Sequence, residues 1–203
     1  MKVLITGFDA FGDETTNPSW LAVQSLETSM AGSEIIKLQL PTLFRKVTTV
    51  LKKALCEHTP DVVILVGVAG KRAEISVERI AINLEDARIP DNEGAQPIDE
   101  PVCADGEAAY FSTLPIKTIT VALKEAGIPA HVSNSAGTFV CNHAFYNLLH
   151  LARKEFPALR GGFIHIPDLS VMPLETVTRA LEISIATAIQ NLADIKITAG
   201  TLY

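Results

Sequence analysis

Three side chains in this sequence have the types that nucleophilic catalysis needs. They are Cys141 in Ser135-Ala-Gly-Thr-Phe-Val-Cys-Asn-His143, His165 in Gly161-Gly-Phe-Ile-His-Ile-Pro167, and Glu78 in Ile75-Ser-Val-Glu-Arg-Ile-Ala-Ile82. A thiol attacks once a base takes its proton, and the base works best when a carboxylate fixes its tautomer. Gly137 and Thr138 read as a turn and an N-cap, with Phe139, Val140, Ala144, Phe145, Leu148, Leu149 and Ala152 following at helical spacing. That puts Cys141 in a first helical turn. Unpaired N–H groups and the positive dipole end there favour a thiolate and can hold an oxyanion. His165 is the one ionisable group in an apolar strand that Pro167 ends. Ordinary alternatives stand beside each reading: a small buried hydrophobe for Cys141, a satisfied core residue for His165, an ion-pair partner of Arg79 for Glu78.

The elements that must position these residues alternate along the chain. Short apolar strands are expected at 3–6, 35–40, 61–67, 131–133 and 161–166; the run Val62-Val-Ile-Leu-Val66 reads as central and parallel. Helices are expected from Asn17-Pro-Ser-Trp20, over 44–57 with a Val47, Val50, Leu51, Ala54, Leu55 stripe, over 116–126, from the cysteine turn, and over 173–192. The stretch 85–107 is polar, rich in proline and glycine, and without regular pattern; a loop that long in a compact domain is usually functional. The alternation predicts a single α/β domain over 1–203, three layers (α/β/α) around a twisted, mostly parallel or mixed sheet. In such sheets ligands bind beyond the carboxyl ends of strands, so Cys141, His165, Glu78 and Phe8 are expected to meet at one edge.

Composition excludes several classes. At 203 residues, 48% hydrophobic and 20% charged, the chain is long enough for a full core. A net charge of −6, a pI near 5.4 and the lack of any basic run argue against nucleic acid. Cys56, Cys103 and Cys141 form neither a disulfide framework nor a zinc pattern, and Cys56 and Cys103 read as structural or incidental. A metal site from Cys141, His143 and His165 lacks zinc spacing, and His143 and His150 read as packing or surface residues. The opening run Met1-Lys-Val-Leu-Ile-Thr-Gly7 is too short for a signal peptide and nothing reaches a membrane span, so a cytoplasmic, reducing location is expected.

With these blocks in order, the chain resembles the pyroglutamyl peptidase I (pyrrolidone-carboxylate peptidase) family of cysteine peptidases over nearly its whole length. The resemblance rests on Ile5-Thr-Gly-Phe-Asp-Ala-Phe-Gly12, Asn17-Pro-Ser-Trp20, Val77-Glu-Arg-Ile-Ala-Ile-Asn83, Ala87-Arg-Ile-Pro-Asp-Asn-Glu-Gly94, Ala109-Tyr-Phe-Ser-Thr-Leu-Pro115, Ala136-Gly-Thr-Phe-Val-Cys-Asn-His143 and Gly161-Gly-Phe-Ile-His-Ile-Pro167. It implies a thiol protease, a hydrolase that removes N-terminal pyroglutamyl residues from peptides through Cys141, His165 and Glu78, with no metal or organic cofactor. It also implies a homotetramer. Phe8 and Phe11 match ring-contacting phenylalanines; Phe139, Val140 and Ile89 match pocket positions; Asn17 and Arg88 match positions close by. Three features depart from the family pattern. Val68 stands where glutamine is usual, so its position near the expected pocket lacks an amide. Gly12-Asp13 replaces a glycine pair. The segment Asp168-Leu-Ser-Val-Met-Pro173 is short and lacks a tyrosine after Pro167. The alternative is a non-catalytic relative that binds a lactam-ended peptide.

Overall fold

The computed structural model describes residues 1–201. In chain order the elements are β1 (Lys2–Phe8), α1 (Pro18–Gln24), β2 (Ser29–Met30), β3 (Ser33–Leu40), α2 (Phe44–His58), β4 (Val62–Val68) and β5 (Ile75–Glu78). They continue as β6 (Ile80–Ile82), β7 (Ala109–Phe111), α3 (Ile116–Glu125), β8 (Ala130–Ser133), α4 (Val140–Lys154), β9 (Arg160–Ile166) and α5 (Leu174–Gln190). The main sheet has the order β2-β3-β1-β4-β9-β5-β8, and β6 and β7 pair separately.

The continuous apolar run of β4 follows from burial on both faces. Val62, Ile64 and Val66 join Val3, Ile5, Ile164 and Ile166 in one core, packed with Ile119 and Leu123 of α3 and Val177, Leu181 and Ile185 of α5. Val63 and Leu65 join Leu4, Phe8 and Phe163 in the other core, under Val47, Leu51 and Leu55 of α2 and Val140, Ala144, Phe145 and Leu148 of α4. Alternate strand residues thus feed opposite layers. Each fully buried aliphatic or phenyl side chain contributes roughly 1.5–3 kcal/mol, so the sheet between the two helical layers is a stiff platform.

Strand direction refines the expected geometry. β3, β1, β4 and β9 are parallel, whereas β5 runs antiparallel to β9 and parallel to β8. Glu78 therefore does not reach the site from a shared carboxyl edge. It comes alongside β9 from the opposite direction, with Ser76 opposite His165 and Val77 opposite Ile164. The β6–β7 pair and the two-residue β2 carry too few residues for a legible periodicity.

The 85–107 stretch has little regular structure but is firmly tied down. The buried Asp91 carboxylate accepts from the backbone of Glu93 (2.9 Å) and Ala95 (2.9 Å), and from Phe44 N–H (3.0 Å) at the start of α2. Leu43, the N-cap of α2, offers no side-chain cap, so Asp91 fills that role from far along the chain. Glu85 pairs with Glu100 through two backbone bonds (2.7 and 3.0 Å), and the Asn83 side chain brackets Cys103 (2.8 and 2.9 Å).

Candidate active site

The β9 strand supplies the centre of the site. By strand alternation, His165 lies on the face covered by α2 and α4, beside Phe163 at a ring-centroid distance of 4.6 Å. Ser76 faces His165 across the β5–β9 pair, so Glu78, two residues on, projects from the same side. His165 Nδ1 lies 2.8 Å from Glu78 Oε1, with Glu78 fully buried and His165 5% exposed. That bond leaves Nε2 as the nitrogen free to exchange a proton.

Cys141 is the second residue of α4, as the spacing indicated, but the cap differs from expectation. The N-cap is Phe139, with no side-chain cap bond, and Thr138 Oγ1 instead donates to Asp86 O at 2.7 Å. His143 N–H is the first amide of the turn to find a carbonyl (Phe139 O, 3.1 Å). The N–H groups of Val140, Cys141 and Asn142 have no acceptor among the described residues. Unpaired amides at the start of a helix are donors able to receive a developing oxyanion.

Gly67 explains how the sulfur reaches the histidine strand. It pairs with His165 in the β4–β9 register, and a Cβ there would lie 2.8 Å from Phe163 Cζ and 3.0 Å from Cys141 Sγ. The absence of a side chain lets Cys141 settle on the rung that carries the imidazole. Among the described residues Cys141 Sγ is in hydrogen-bond contact with no partner, His165 included; such contacts often tighten only when substrate is bound.

Electrostatics correct the expected thiolate. Burial and the negative charge of Glu78 push the Cys141 thiol up to about 12, with Arg72 opposing. A helix N-terminus is worth about 0.3–1 kcal/mol, less than one tenfold step in acidity, and does not reverse this. Burial and the charge of Glu78 thus favour the thiol form of Cys141. Burial opposes ionisation of Glu78 as well, but the hydrogen bond and charge of His165, followed by Ser133 and Arg72, hold its carboxyl below the usual value. Arg72 Nη1 lies 2.6 Å from Glu78 Oε1, and Nη2 donates to Ser135 O at 2.9 Å. Glu78 Oε2 has no partner in hydrogen-bond geometry. The Ser133 hydroxyl, at the register position opposite Glu78, donates to Ser135 O at 3.2 Å.

The other expected site residues divide into groups. Phe11 meets Phe139 edge-on at 5.4 Å, and Phe139 meets Phe44 at 5.2 Å, forming an aromatic wall two residues ahead of Cys141. Phe8 and Val140 are buried in the core under α2 and α4, Phe8 being 6.4 Å from Phe163. Asn17 caps α1, accepting from Ser19 N–H (3.0 Å) and donating to Asp9 O (2.8 Å), which braces the loop after β1. Arg88 and Ile89 are exposed, just beyond the Asp86–Thr138 contact. Val68 is not brought to the cysteine. It follows Gly67 and therefore faces the other way, packing against the α1, α3 and α5 side. A cavity of about 350 Å³ bordered by Phe44, Glu85, Gln96, Glu100 and His143 shares Phe44 with the wall but contains none of Cys141, His165 and Glu78.

Sequence reading missed Arg72, Gly67, Ser133 and Phe44. The signal for Arg72 was its place in Gly70-Lys-Arg72, directly between β4 and β5. His143 bonds Glu85 and Thr48 Oγ1 (2.9 Å), so it belongs to neither the triad nor a metal set with Cys141. No helix among the described residues is long and apolar enough to cross a membrane.

Comparison with known proteins agrees with this geometry. Residues 1–192 match the family described as pyroglutamyl peptidase. The chain is 53% identical to a pyrrolidone-carboxylate peptidase of Bacillus licheniformis over 99% of this chain and 98% of the relative. It is 50% identical to the one of Bacillus subtilis, over 100% of this chain and 99% of the relative. Its fold matches the crystal structure of pyroglutamyl peptidase I from Bacillus amyloliquefaciens with a TM-score of 0.93 at 48% identity, covering 97% and 99% of the two chains. The pyrrolidone carboxyl peptidase of Thermococcus litoralis gives 0.92 at 38% identity, covering 97% and 99%. With these similarities along nearly all of its length, the chain belongs to the pyroglutamyl peptidase family.

Proposed function

We propose that this protein is a cysteine peptidase that hydrolyses N-terminal pyroglutamyl residues from peptides, with Cys141 as nucleophile, His165 as base and Glu78 as the orienting carboxylate. The observation that carries the assignment is the His165 Nδ1–Glu78 Oε1 bond of 2.8 Å on the rung where Gly67 admits the sulfur.

Starting from a neutral thiol, His165 Nε2 takes the Cys141 proton as Sγ attacks the pyroglutamyl carbonyl. The carbonyl oxygen gains negative charge and is met by the free amides of the first turn of α4. Glu78 stabilises the imidazolium and fixes its tautomer. The imidazolium then protonates the leaving amine, and the C–N bond breaks to give a thioester. Water attacks the thioester with His165 as base, releasing pyroglutamate and restoring the thiol.

Phe11 and Phe139 are assigned to the walls of the lactam site, with Phe8 and Val140 beneath, and Asn17, Arg88 and Ile89 around its rim. A small, flat, neutral ring suits apolar walls with a few backbone hydrogen bonds. Val68 is left out of this set. The same family resemblance supports a homotetramer, and three free cysteines suit a reducing cytoplasm.

The test is release of a chromophore from a pyroglutamyl amide, with and without prior thiol alkylation. Turnover that alkylation abolishes supports the enzyme. Tight binding of a pyroglutamyl peptide without turnover, in fully reduced protein, would establish the non-catalytic alternative.

A further inference from the structure

A second cluster of chemically capable side chains lies away from the catalytic residues, where the end of the 85–107 segment meets α4. Cys103 Sγ, one Asp105 oxygen and one His150 ring nitrogen all lie within 4.8 Å of one another. The sulfur is 3.0 Å from Asp105 Oδ1 and 3.7 Å from His150 Nε2. It is the one such group of three potential metal-binding side chains among the described residues. We propose that Cys103, Asp105 and His150 bind a single zinc ion, which clips the loop to the helix.

The donor set selects the ion. A thiolate, an imidazole and a carboxylate suit a borderline-soft divalent cation, and three protein donors leave a fourth tetrahedral position for water. With zinc–sulfur and zinc–nitrogen bonds of about 2.3 and 2.0 Å, a tetrahedral ion places sulfur and nitrogen about 3.5 Å apart. The gap here is 3.7 Å. The sulfur–oxygen gap of 3.0 Å is that of a thiol hydrogen bond; replacing the proton by an ion widens it by about half an ångström. Asp105 is exposed and able to make that movement.

The surroundings prepare the donors. His150 is 9% exposed, and Tyr110 Oη, 3.0 Å from Nδ1, holds the ring with Nε2 towards the sulfur. Such an outer hydrogen bond is what orients a ligating imidazole. Lys154 Nζ occupies Asp105 Oδ2 at 2.9 Å and leaves Oδ1 to the site. Cys103 is itself held by Asn83, which accepts from its N–H at 2.9 Å. On binding, the Cys103 S–H bond breaks, its proton passes to solvent, and the sulfur pair is donated to zinc with no change of oxidation state.

The test uses the full chain carrying Cys56→Ser and Cys141→Ser, so that the other two thiols cannot compete. Activity is not read, so the outcome is independent of the hydrolase assignment. Cobalt(II), as a spectroscopic substitute, is expected to bind at one equivalent with a sulfur-to-metal absorption band, and zinc to displace it and raise the melting temperature. Adding Cys103→Ser should remove the band. Asp105→Asn and Tyr110→Phe should each weaken binding about 10-fold or more. Should His150→Gln lower the melting point by itself, Cys103→Ser and Asp105→Asn, both at accessible positions, still decide the matter. A missing sulfur band, or one that survives Cys103→Ser, overturns the proposal. Equal zinc affinity across the variants does so too.

Discussion

Arg72 and His165 meet on one atom: Glu78 Oε1 lies 2.6 Å from the guanidinium and 2.8 Å from the imidazole. The other arm of Arg72 holds Ser135 O, at the start of the turn that leads to Cys141. One side chain therefore couples the carboxylate to the loop that leads to Cys141.

Replacing Arg72 should impair turnover without touching substrate. A hydrogen bond to a charged group contributes about 1.5–3 kcal/mol. Since Arg72 is 31% exposed, the lower end applies. Arg72→Met is expected to lower kcat roughly tenfold with little change in KM. It should also raise the Glu78 carboxyl. Because that carboxyl is depressed in the folded chain, its stabilising contribution is present above the reference value of 4.5 and is lost as pH falls through the folded value. Acid unfolding of Arg72→Met should thus begin at higher pH than in the parent. An unchanged kcat and acid midpoint would show that Arg72 only decorates the site.

The neutral resting thiol predicts a distinctive alkylation profile. With Cys141 held up at about 12, its reaction with iodoacetamide should accelerate about tenfold per pH unit between 7 and 10. No plateau should occur in that range. A flat rate from pH 6 to 8 would instead reveal a standing thiolate–imidazolium pair.

Removal of each catalytic group should rank them. Cys141→Ala and Cys141→Ser are expected to lose turnover while keeping the far-ultraviolet circular dichroism of the parent. His165→Ala should be nearly as damaging. Glu78→Gln should retain weak activity, because an amide oxygen can still accept from Nδ1–H although it no longer stabilises the imidazolium. Greater activity in His165→Ala than in Glu78→Gln would reverse the assigned roles. A strong chelator should leave the parent rate unchanged.

Gly67→Ala probes the close approach. Its Cβ would fall 2.8 Å from Phe163 Cζ and 3.0 Å from Cys141 Sγ, in a packed core. Overpacking of this kind costs about 1–3 kcal/mol. Thermal melting should show the loss, and kcat should fall because the sulfur is displaced from the His165 rung. A variant with parental stability and rate would show that the rung tolerates a side chain.

Much of this arrangement was legible in the sequence because it rests on long-range periodicity. The apolar run of β4, the striped helices α2 and α5, and the cysteine turn all signal themselves through hydrophobic spacing. Strand direction does not: β5 has four residues and reads the same whichever way it runs. Arg72 was overlooked because a Lys–Arg pair in a turn looks like solvated surface. The expected thiolate at Cys141 came from helix position alone, and the deciding influences, burial and the charge of Glu78, arise from contacts distant in sequence. The family resemblance places Val68 near the pocket, where glutamine is usual, yet neighbouring residues on a strand point to opposite layers and Val68 packs on the one away from Cys141.

Asp91 gives the long connecting segment a thermodynamic identity. Its carboxylate caps α2 while organising the 91–95 turn, so releasing that turn also frees the Phe44 amide. Loss of such a cap costs about 1 kcal/mol. The amides of Phe44, Glu93 and Ala95 should therefore exchange with solvent deuterium as one cooperative unit. Asp91→Ala should speed all three together and expose both the turn and the first helical residues to proteolytic nicking.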